Sequence, residues 1–562
     1  MMVTVHKFVL RTHPVMIEIE FECRRLQARD GESLAATLTA HGIRGFRTTR
    51  RGAERGIFCG MGVCQDCLVE VDGRANERAC MTIVDRPMVV RRESFARPLA
   101  PKSGRPIASG EIETHRPELL IIGAGPGGLS AAVSARRAGC AVTVVDERPH
   151  AGGQYFKQLS VHDAAPPDAQ HREGARLIET ARELGVEFEE RVTVWGAFPP
   201  NEFGAVVNGR ARRYLPRATI IATGAYERGW PVPGWTLPGV MTTGAAQTLW
   251  RTARRLPGRR VLIAGNGPLN LQLAAELIGG GAEVLAVVEA AAKPGPAQLP
   301  ALLAMIAAAP GLVRDGLKYH AKRRSGRARM IYDAVVTGIE KTETGLRASI
   351  GKEAFDVDAV CLGYGFEPAN ELLRALGCTH DFDHERRQLV TRCDADGLTD
   401  RAGIYALGDC TGLGGARVAM AQGTLAGLAA AETLGYPIAG VLRELREKAL
   451  AARARHRRFQ QALWQIHAAP GWSAECATPE TLICRCEEVS FAAVDAALGE
   501  GLESLGAVKR RTRIGMGRCQ GRYCAPILDA LLAERCGRPR SEFSGMAPRP
   551  PAKPVRIGDL VS

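Results

Sequence analysis

The sequence predicts an α/β chain in which two dinucleotide-binding folds, one inserted in the other, carry a small cysteine-bearing module at each end. Two observations predict the centre. A strand, a glycine turn, a helix and a second strand run from Leu119 to Val145, and the same pattern returns from Arg260 to Val288, about 140 residues later. A third observation predicts the ends. Eight of the 16 cysteines fall into two tight sets: Cys59, Cys64, Cys67 and Cys80 near the front, and Cys484, Cys486, Cys519 and Cys524 near the back.

With 562 residues, 46% hydrophobic and 24% charged, the chain has material for several cores. The net charge of +14 comes mostly from scattered arginines, with aromatics at only 5%, which argues against nucleic acid and for a solvated surface or a face for an acidic redox partner. No basic start with an apolar core opens the chain, and no apolar run is long enough for a transmembrane segment, so the reading is cytoplasmic. The apolar stretch Leu299 to Val313, broken by Pro300 and Pro310, leaves a peripheral contact with the inner membrane open. In such a long chain the grouped cysteines call for metal rather than disulfides.

Residues 15–95 read as a β-grasp module: strands Met16 to Phe21 and Arg25 to Ala28, a turn at Asp30-Gly31, a helix over Ser33 to His41, then the cysteine loop. The run Cys59-Gly-Met-Gly-Val-Cys64-Gln-Asp-Cys67, with Cys80 brought back by the Asp72-Gly73 turn, has the C-x4-C-x2-C spacing of a ferredoxin [2Fe-2S] loop. Four thiolates hold the irons, and the glycines let backbone N–H groups face the sulfurs. A four-cysteine zinc site is the alternative, although zinc favours two C-x2-C knuckles. The Pro- and Ser-rich residues 96–117 read as a linker.

Residues 118–240 and 363–436 read as two parts of one nucleotide-binding domain, interrupted by a second, residues 241–362. In the first, Gly123-Ala-Gly125-Pro-Gly-Gly128 follows the strand Leu119 to Ile122 and precedes a helix over Leu129 to Ala138, so a pyrophosphate can approach the helix N-terminus. Asp146 and Glu147 end the next strand, where an acid accepts from a ribose hydroxyl. Gly152-Gly153-Gln154, Ala222-Thr223-Gly224 and a late Gly408-Asp409 complete a set that resembles the two-dinucleotide-domain flavoprotein reductases. That resemblance implies FAD, with the Gly-Asp pair at the ribityl chain and phosphate; an empty nucleotide fold is the alternative. Cys410 follows Asp409 without a C-x-x-C mate, so a redox disulfide is not indicated. In the inserted fold, Gly265-Asn-Gly267-Pro-Leu-Asn270 and Glu289 would suit NAD, yet Asn270 stands where a third glycine allows helix and strand to pack closely. A fold kept for structure therefore stands beside a bound NAD or other adenine nucleotide.

Residues 437–478, with the charged stretch Arg443 to Ile466, read as a helical connector, and 541–562 as a loose Pro-rich tail. Between them, residues 479–540 hold Cys484-Arg-Cys486 and, 32 residues on, Cys519-Gln-Gly-Arg-Tyr-Cys524, with short helices over Phe491 to Leu498 and Pro526 to Glu534. This segment resembles the [2Fe-2S] domain of bacterioferritin-associated ferredoxin (BFD-like); zinc is again the alternative. Arg485, Arg518 and Arg522 flank the set, which predicts the higher potential for this cluster. No catalytic nucleophile with its base, and no histidine metal motif, is legible.

Taken in order over roughly residues 15–540, these segments resemble the hydrogen cyanide synthase, opine oxidase and dye-linked proline or hydroxyproline dehydrogenase family. The ferredoxin-like small subunit of that family would here be fused to its larger FAD- and BFD-like subunit. The resemblance implies an oxidoreductase acting on CH–NH or CH–NH2 donors within a heteromeric complex. A separate D-amino-acid-oxidase-like FAD subunit would oxidise the amine or imino acid, an FMN would sit at a subunit interface, and a quinone or other acceptor would take the electrons. A self-contained NADH-dependent flavin and iron-sulfur reductase is the enzymatic alternative. A redox sensor that turns over nothing is the other.

Overall fold

The computed structural model describes residues 15–94, 112–160 and 167–560. In the N-terminal module the alternating run Met16–Phe21 turns Ile19 and Phe21 inward and pairs antiparallel with Arg24–Arg29, while Val89–Ser94 returns parallel beside it. The helix Leu34–Ala40 begins at Ser33, whose hydroxyl accepts the Ala36 N–H, and lays Leu34 and Leu38 on that sheet. Residues 96–111 of the expected linker lie outside the described residues. Glu113–His115, at its end, is instead a strand: it pairs with Arg210–Tyr214 at the edge of a four-stranded sheet.

The first nucleotide fold is a five-stranded parallel sheet in the order Glu187–Glu189, Val142–Val145, Leu119–Ile122, Ala218–Ile221, Ile404–Ala406. Its central strands are uninterrupted apolar or β-branched runs, as a sheet covered on both faces requires. The helix after the glycine turn spans Pro126–Arg137, three residues earlier than expected, because Gly125 caps it and Pro126 fixes its first turn. Gly128 consequently lies inside the helix, where a Cβ would run into the Gly123 carbonyl. Helix Ala416–Thr433 closes on the same helix through Gly423 and Gly427.

The inserted fold has its own parallel sheet, ordered Val240–Thr242, Ala359–Gly363, Arg260–Gly265, Glu283–Glu289, Arg329–Tyr332. The apolar stretch from Leu299 forms helix Leu299–Ala308, and a 117° bend ahead of Pro310 starts the next, so among the described residues no single helix is long and apolar enough to cross a membrane. The connector is one long helix, Val441–Ile466, which buries Phe459 and Ala462 against Met305 and Ala308. The C-terminal cysteine module packs two short helices and Ala525–Cys536 around Ile483, Val494, Val508 and Leu528.

The described part of the tail is pinned, not loose. Lys553 pairs with Glu147, the Ala552 N–H donates to the Trp195 carbonyl at 2.6 Å, and Arg556 bonds Glu77 and the Ala75 carbonyl of the N-terminal module. Composition suggested looseness because prolines remove backbone donors, but Lys553 and Arg556 find carboxylates on two other parts of the chain.

Candidate functional site

The N-terminal cysteine loop is shaped by left-handed turns at Gly60 and Gly62. Gly60 also lets it approach the helix Thr243–Ala253, since a Cβ there would sit 2.9 Å from the Ala245 Cα. Backbone N–H groups of Met61 and Cys64 point at Cys59 Sγ at 3.5 and 3.4 Å, and that of Asp66 at Cys64 Sγ at 3.4 Å. The thiols hydrogen-bond in two pairs, Cys59 with Cys64 and Cys67 with Cys80. Burial would push the Cys59 thiol up, but Cys64 and the N–H groups of the loop bring it down to about 6.

The C-terminal set repeats this arrangement on different elements. Cys484 pairs with Cys524 at the start of helix Ala525–Cys536, and Cys486 with Cys519. The Cys524 thiol and the N–H groups of Gly515, Glu487 and Cys486 together bring Cys484 down to about 7 despite burial. A rhombic two-iron core asks two thiolates of each iron, which two pairs supply. A single zinc ion asks for four donors around one point, whereas the thiols of each set divide into two pairs. The donor sets therefore fit [2Fe-2S] centres.

Two of the three arginines expected to make the C-terminal set electropositive are compensated within the fold. Arg485 pairs with Asp66 at 2.7 Å and Arg522 with Glu371 at 2.8 Å. The expected order of potentials thus loses most of its electrostatic basis.

Between the two nucleotide folds lies a cavity of about 520 Å3. Gly123, Gly125, Asp146, Glu147, Gly153, Gln154, Thr223, Gly224, Gly408 and Asp409 all line it, while Gly128 lies behind, in the helix. Nothing stands within 4 Å of a Cβ built on Gly125 or Gly224, so the backbone is bare on that side. The Gln154 amide and Arg148 guanidinium each present a buried N–H without a partner, and both line this cavity. Asp409 anchors the N–H groups of Gly414 and Gly415 with one oxygen, at 2.9 and 2.8 Å. A bare phosphate turn, orphaned donors and a half-buried carboxylate with a spare oxygen fit FAD. Cys410 points away, to the carbonyls of Ile221 and Leu407, and burial pushes its thiol up to about 11.

The adjacent acids Asp146 and Glu147 have different surroundings. Asp146 accepts the N–H groups of Ala124 at 2.6 Å and Arg148 at 2.8 Å. Glu147 is held by Arg78 of the N-terminal module at 2.5 Å and by Lys553 of the tail, so it ties three parts of the chain together. Burial opposes its ionisation, yet Lys553 and Arg78 hold it at about 2. A carboxylate held this low stabilises the fold above the ordinary carboxylate range and loses that contribution as pH falls through the folded value. The shift corresponds to about 3 kcal/mol. Glu147→Gln should therefore be less stable than wild type at pH 7, and the gap between their urea midpoints should close between about pH 4.5 and pH 2. A gap that stays constant with pH would refute the assignment.

Sequence reasoning missed the far end of the cavity. There Lys157 and Glu227, each 3% exposed, stand with Gln247 beside Cys59, Met61 and Val63. Lys157 Nζ donates to Gln247 Oε1 at 2.8 Å, and burial with Arg148 and Arg251 nearby lowers it to about 7. Both Glu227 oxygens accept from the Gly244 N–H at 2.9 Å, and burial raises it to about 7. A single Lys on a loop, or a Glu at the end of the strand Ala225–Glu227, carries no motif, and only the fold brings these two together.

At the second glycine turn, Glu289 accepts the N–H groups of Gly267 at 3.0 Å and Ala291 at 3.2 Å and lies 3.4 Å from His467 Nδ1. Asn266 Nδ2 donates to the His467 carbonyl at 3.0 Å, so the end of the connector sits against this turn, with Gly265 buried beneath it. Asn270 donates to the Gly363 carbonyl at 3.1 Å and accepts from Thr243 at 2.7 Å, tying its own helix Pro268–Gly279 to the neighbouring strand Ala359–Gly363 and the helix Thr243–Ala253.

Residues 117–423 match the pyridine nucleotide-disulphide oxidoreductase family, residues 15–94 a 2Fe-2S iron-sulfur cluster binding domain and residues 482–534 a BFD-like [2Fe-2S] binding domain. An opine oxidase subunit of Agrobacterium tumefaciens is 33% identical over 468 residues, covering 79% of this chain and 91% of its own. Hydrogen cyanide synthase subunit HcnB of Pseudomonas aeruginosa is 28% identical, covering 78% and 96%, and subunit HcnA of that organism is 46% identical over 67 residues, 12% of this chain and 64% of its own. In three dimensions the chain is similar to L-proline dehydrogenase from P. horikoshii, with a TM-score of 0.72, 21% identity and coverage of 99% and 100%.

Proposed function

Because this chain belongs to the pyridine nucleotide-disulphide oxidoreductase family, among the relatives of an opine oxidase subunit, we propose that it is the electron-transfer subunit of an amine or imino-acid dehydrogenase complex. It is an FAD and [2Fe-2S] oxidoreductase with one FAD site and two cluster sites. The observation that carries the reading is the shared wall: Cys59, Met61 and Val63 of one cluster loop and Arg522 of the other line the FAD cavity. FAD, when bound, takes up electrons in pairs, whereas each iron-sulfur centre carries one, so this junction suits splitting a pair. Gly125 and the helix behind it would hold the pyrophosphate and Asp409 the ribityl end, while Lys157 and Glu227 hold protons that can move near neutral pH. In this reading a separate D-amino-acid-oxidase-like subunit removes hydride from an opine, glycine, proline or hydroxyproline, an FMN sits between subunits, and a quinone is one acceptor of suitable chemistry.

The NADH-dependent alternative is weakened by the end of the connector, which sits on the second glycine turn: the His467 carbonyl accepts from Asn266 at 3.0 Å and the His467 ring lies 3.4 Å from Glu289. Anaerobic mixing with micromolar NADH should leave the flavin oxidised on the seconds scale. Supplying the copurifying partner and one of these amines should instead give steady dye reduction. Prompt bleaching by NADH alone would overturn the electron-transfer assignment, and no turnover with any partner and amine would favour a sensor.

A further inference from the structure

The two cysteine loops are also joined directly to each other. Asp66 lies between Cys64 and Cys67; its N–H points at Cys64 Sγ, and its buried carboxylate accepts from Arg485 Nε at 2.7 Å. Arg485 lies between Cys484 and Cys486 and is 4% exposed. Its guanidinium rests 3.7 Å from the ring centroid of Phe58, the neighbour of Cys59, and 4.7 Å from that of Trp235, and it donates to the Trp235 carbonyl at 2.7 Å. Phe58 in turn meets Tyr523, the neighbour of Cys524, edge-on at 5.3 Å. Phe58, Cys59, Cys64, Cys519 and Tyr523 belong to one continuous apolar core.

Taking an ion pair out of water is costly, and well-packed apolar side chains hold two loops together at least as well. What the charges add is a field that reaches both cysteine sets through a medium of low dielectric. Arg47 forms a second ion pair with Asp66, at 2.9 Å on its other carboxylate oxygen. Resting on the iron-sulfur reading above, we propose that Asp66 and Arg485 are positioning residues that latch the two clusters into one relay. Phe58 and Tyr523 then give an electron a dry path from one to the other. In that transfer one iron pair loses an electron and the other gains it, with no bond made or broken and no proton moved.

The test uses the whole chain with its cofactors. Fully reduced wild-type protein should give an electron paramagnetic resonance spectrum that is broadened and split relative to the sum of the spectra of Cys64→Ser and Cys519→Ser, because nearby paramagnets perturb one another. Asp66→Asn, with iron content unchanged, should raise the midpoint potentials of both clusters, and Arg485→Gln should lower both; a purely mechanical link would shift neither in concert. An additive spectrum from wild-type protein would overturn the proposal even if both variants failed to fold. So would Asp66→Asn moving the N-terminal cluster alone. Zinc in place of iron and sulfide would remove the iron-sulfur reading itself, a failure distinguishable from an additive spectrum.

Discussion

Cys64→Ser should purify with about two irons and two acid-labile sulfides per chain where the wild type holds about four of each, and Cys519→Ser should independently lose the other two. The expectation follows from how the thiols stand. Cys64 shares a hydrogen bond with Cys59 and Cys519 with Cys486, so each substitution strips one of two donors from one iron and leaves the other loop's pairs intact. A hydroxyl is a hard, weakly ionised replacement for a soft thiolate and does not hold iron in its place. The apolar core should survive, because serine is smaller than the cysteine it replaces and the neighbouring rings of Phe58 and Tyr523 stay in place. Iron and sulfide analysis with the visible spectrum checks the result. Loss of all four irons from either variant would mean that the loops cannot assemble separately. Two zinc ions without sulfide would mean that the sets are structural.

The cysteine sets and the first glycine turn were legible because spacing alone constrains them: four thiolates, or a turn that admits a phosphate, allow few arrangements. Fold class followed from the repeated strand, turn and helix pattern, since parallel sheets covered on both faces leave long apolar runs such as Leu119–Ile122. Long-range electrostatics was not legible. Arg485 and Asp66 are 419 residues apart in the chain, Lys553 and Glu147 are 406 apart, and nothing local marks either as a pair. Reading Arg485 and Arg522 as uncompensated charge failed for this reason, and so did reading a proline-rich tail as loose. Asn270 is the converse case. Its departure from the glycine pattern was visible, and the reason, a side chain bonded to Gly363 and Thr243, required the fold.

Gly125→Val should yield folded protein that has lost most of its FAD, and this is the sharpest separation of cofactor binding from folding that the first nucleotide fold offers. Its neighbours cannot serve. A Cβ on Gly128 would strike the Gly123 carbonyl, and one on Gly123 would strike the Ala222 carbonyl at a left-handed φ of 112°, so either change disturbs the sheet itself. Gly125 has an extended backbone and nothing within 4 Å of a Cβ, so the β-carbon of a larger residue meets no protein atom there. The space it would fill faces the start of helix Pro126–Arg137, where a pyrophosphate must approach the unpaired N–H groups. Asp409→Ala should have the smaller effect. It removes one carboxylate that also anchors Gly414 and Gly415, so flavin should be retained in part and bound more weakly. Flavin absorbance per chain, circular dichroism and iron content together read the outcome, with iron expected to stay near wild type in the Gly125 variant. Full flavin occupancy in Gly125→Val would place the phosphate elsewhere in the cavity. Loss of secondary structure along with the flavin would show that this glycine serves the fold, as Gly128 does.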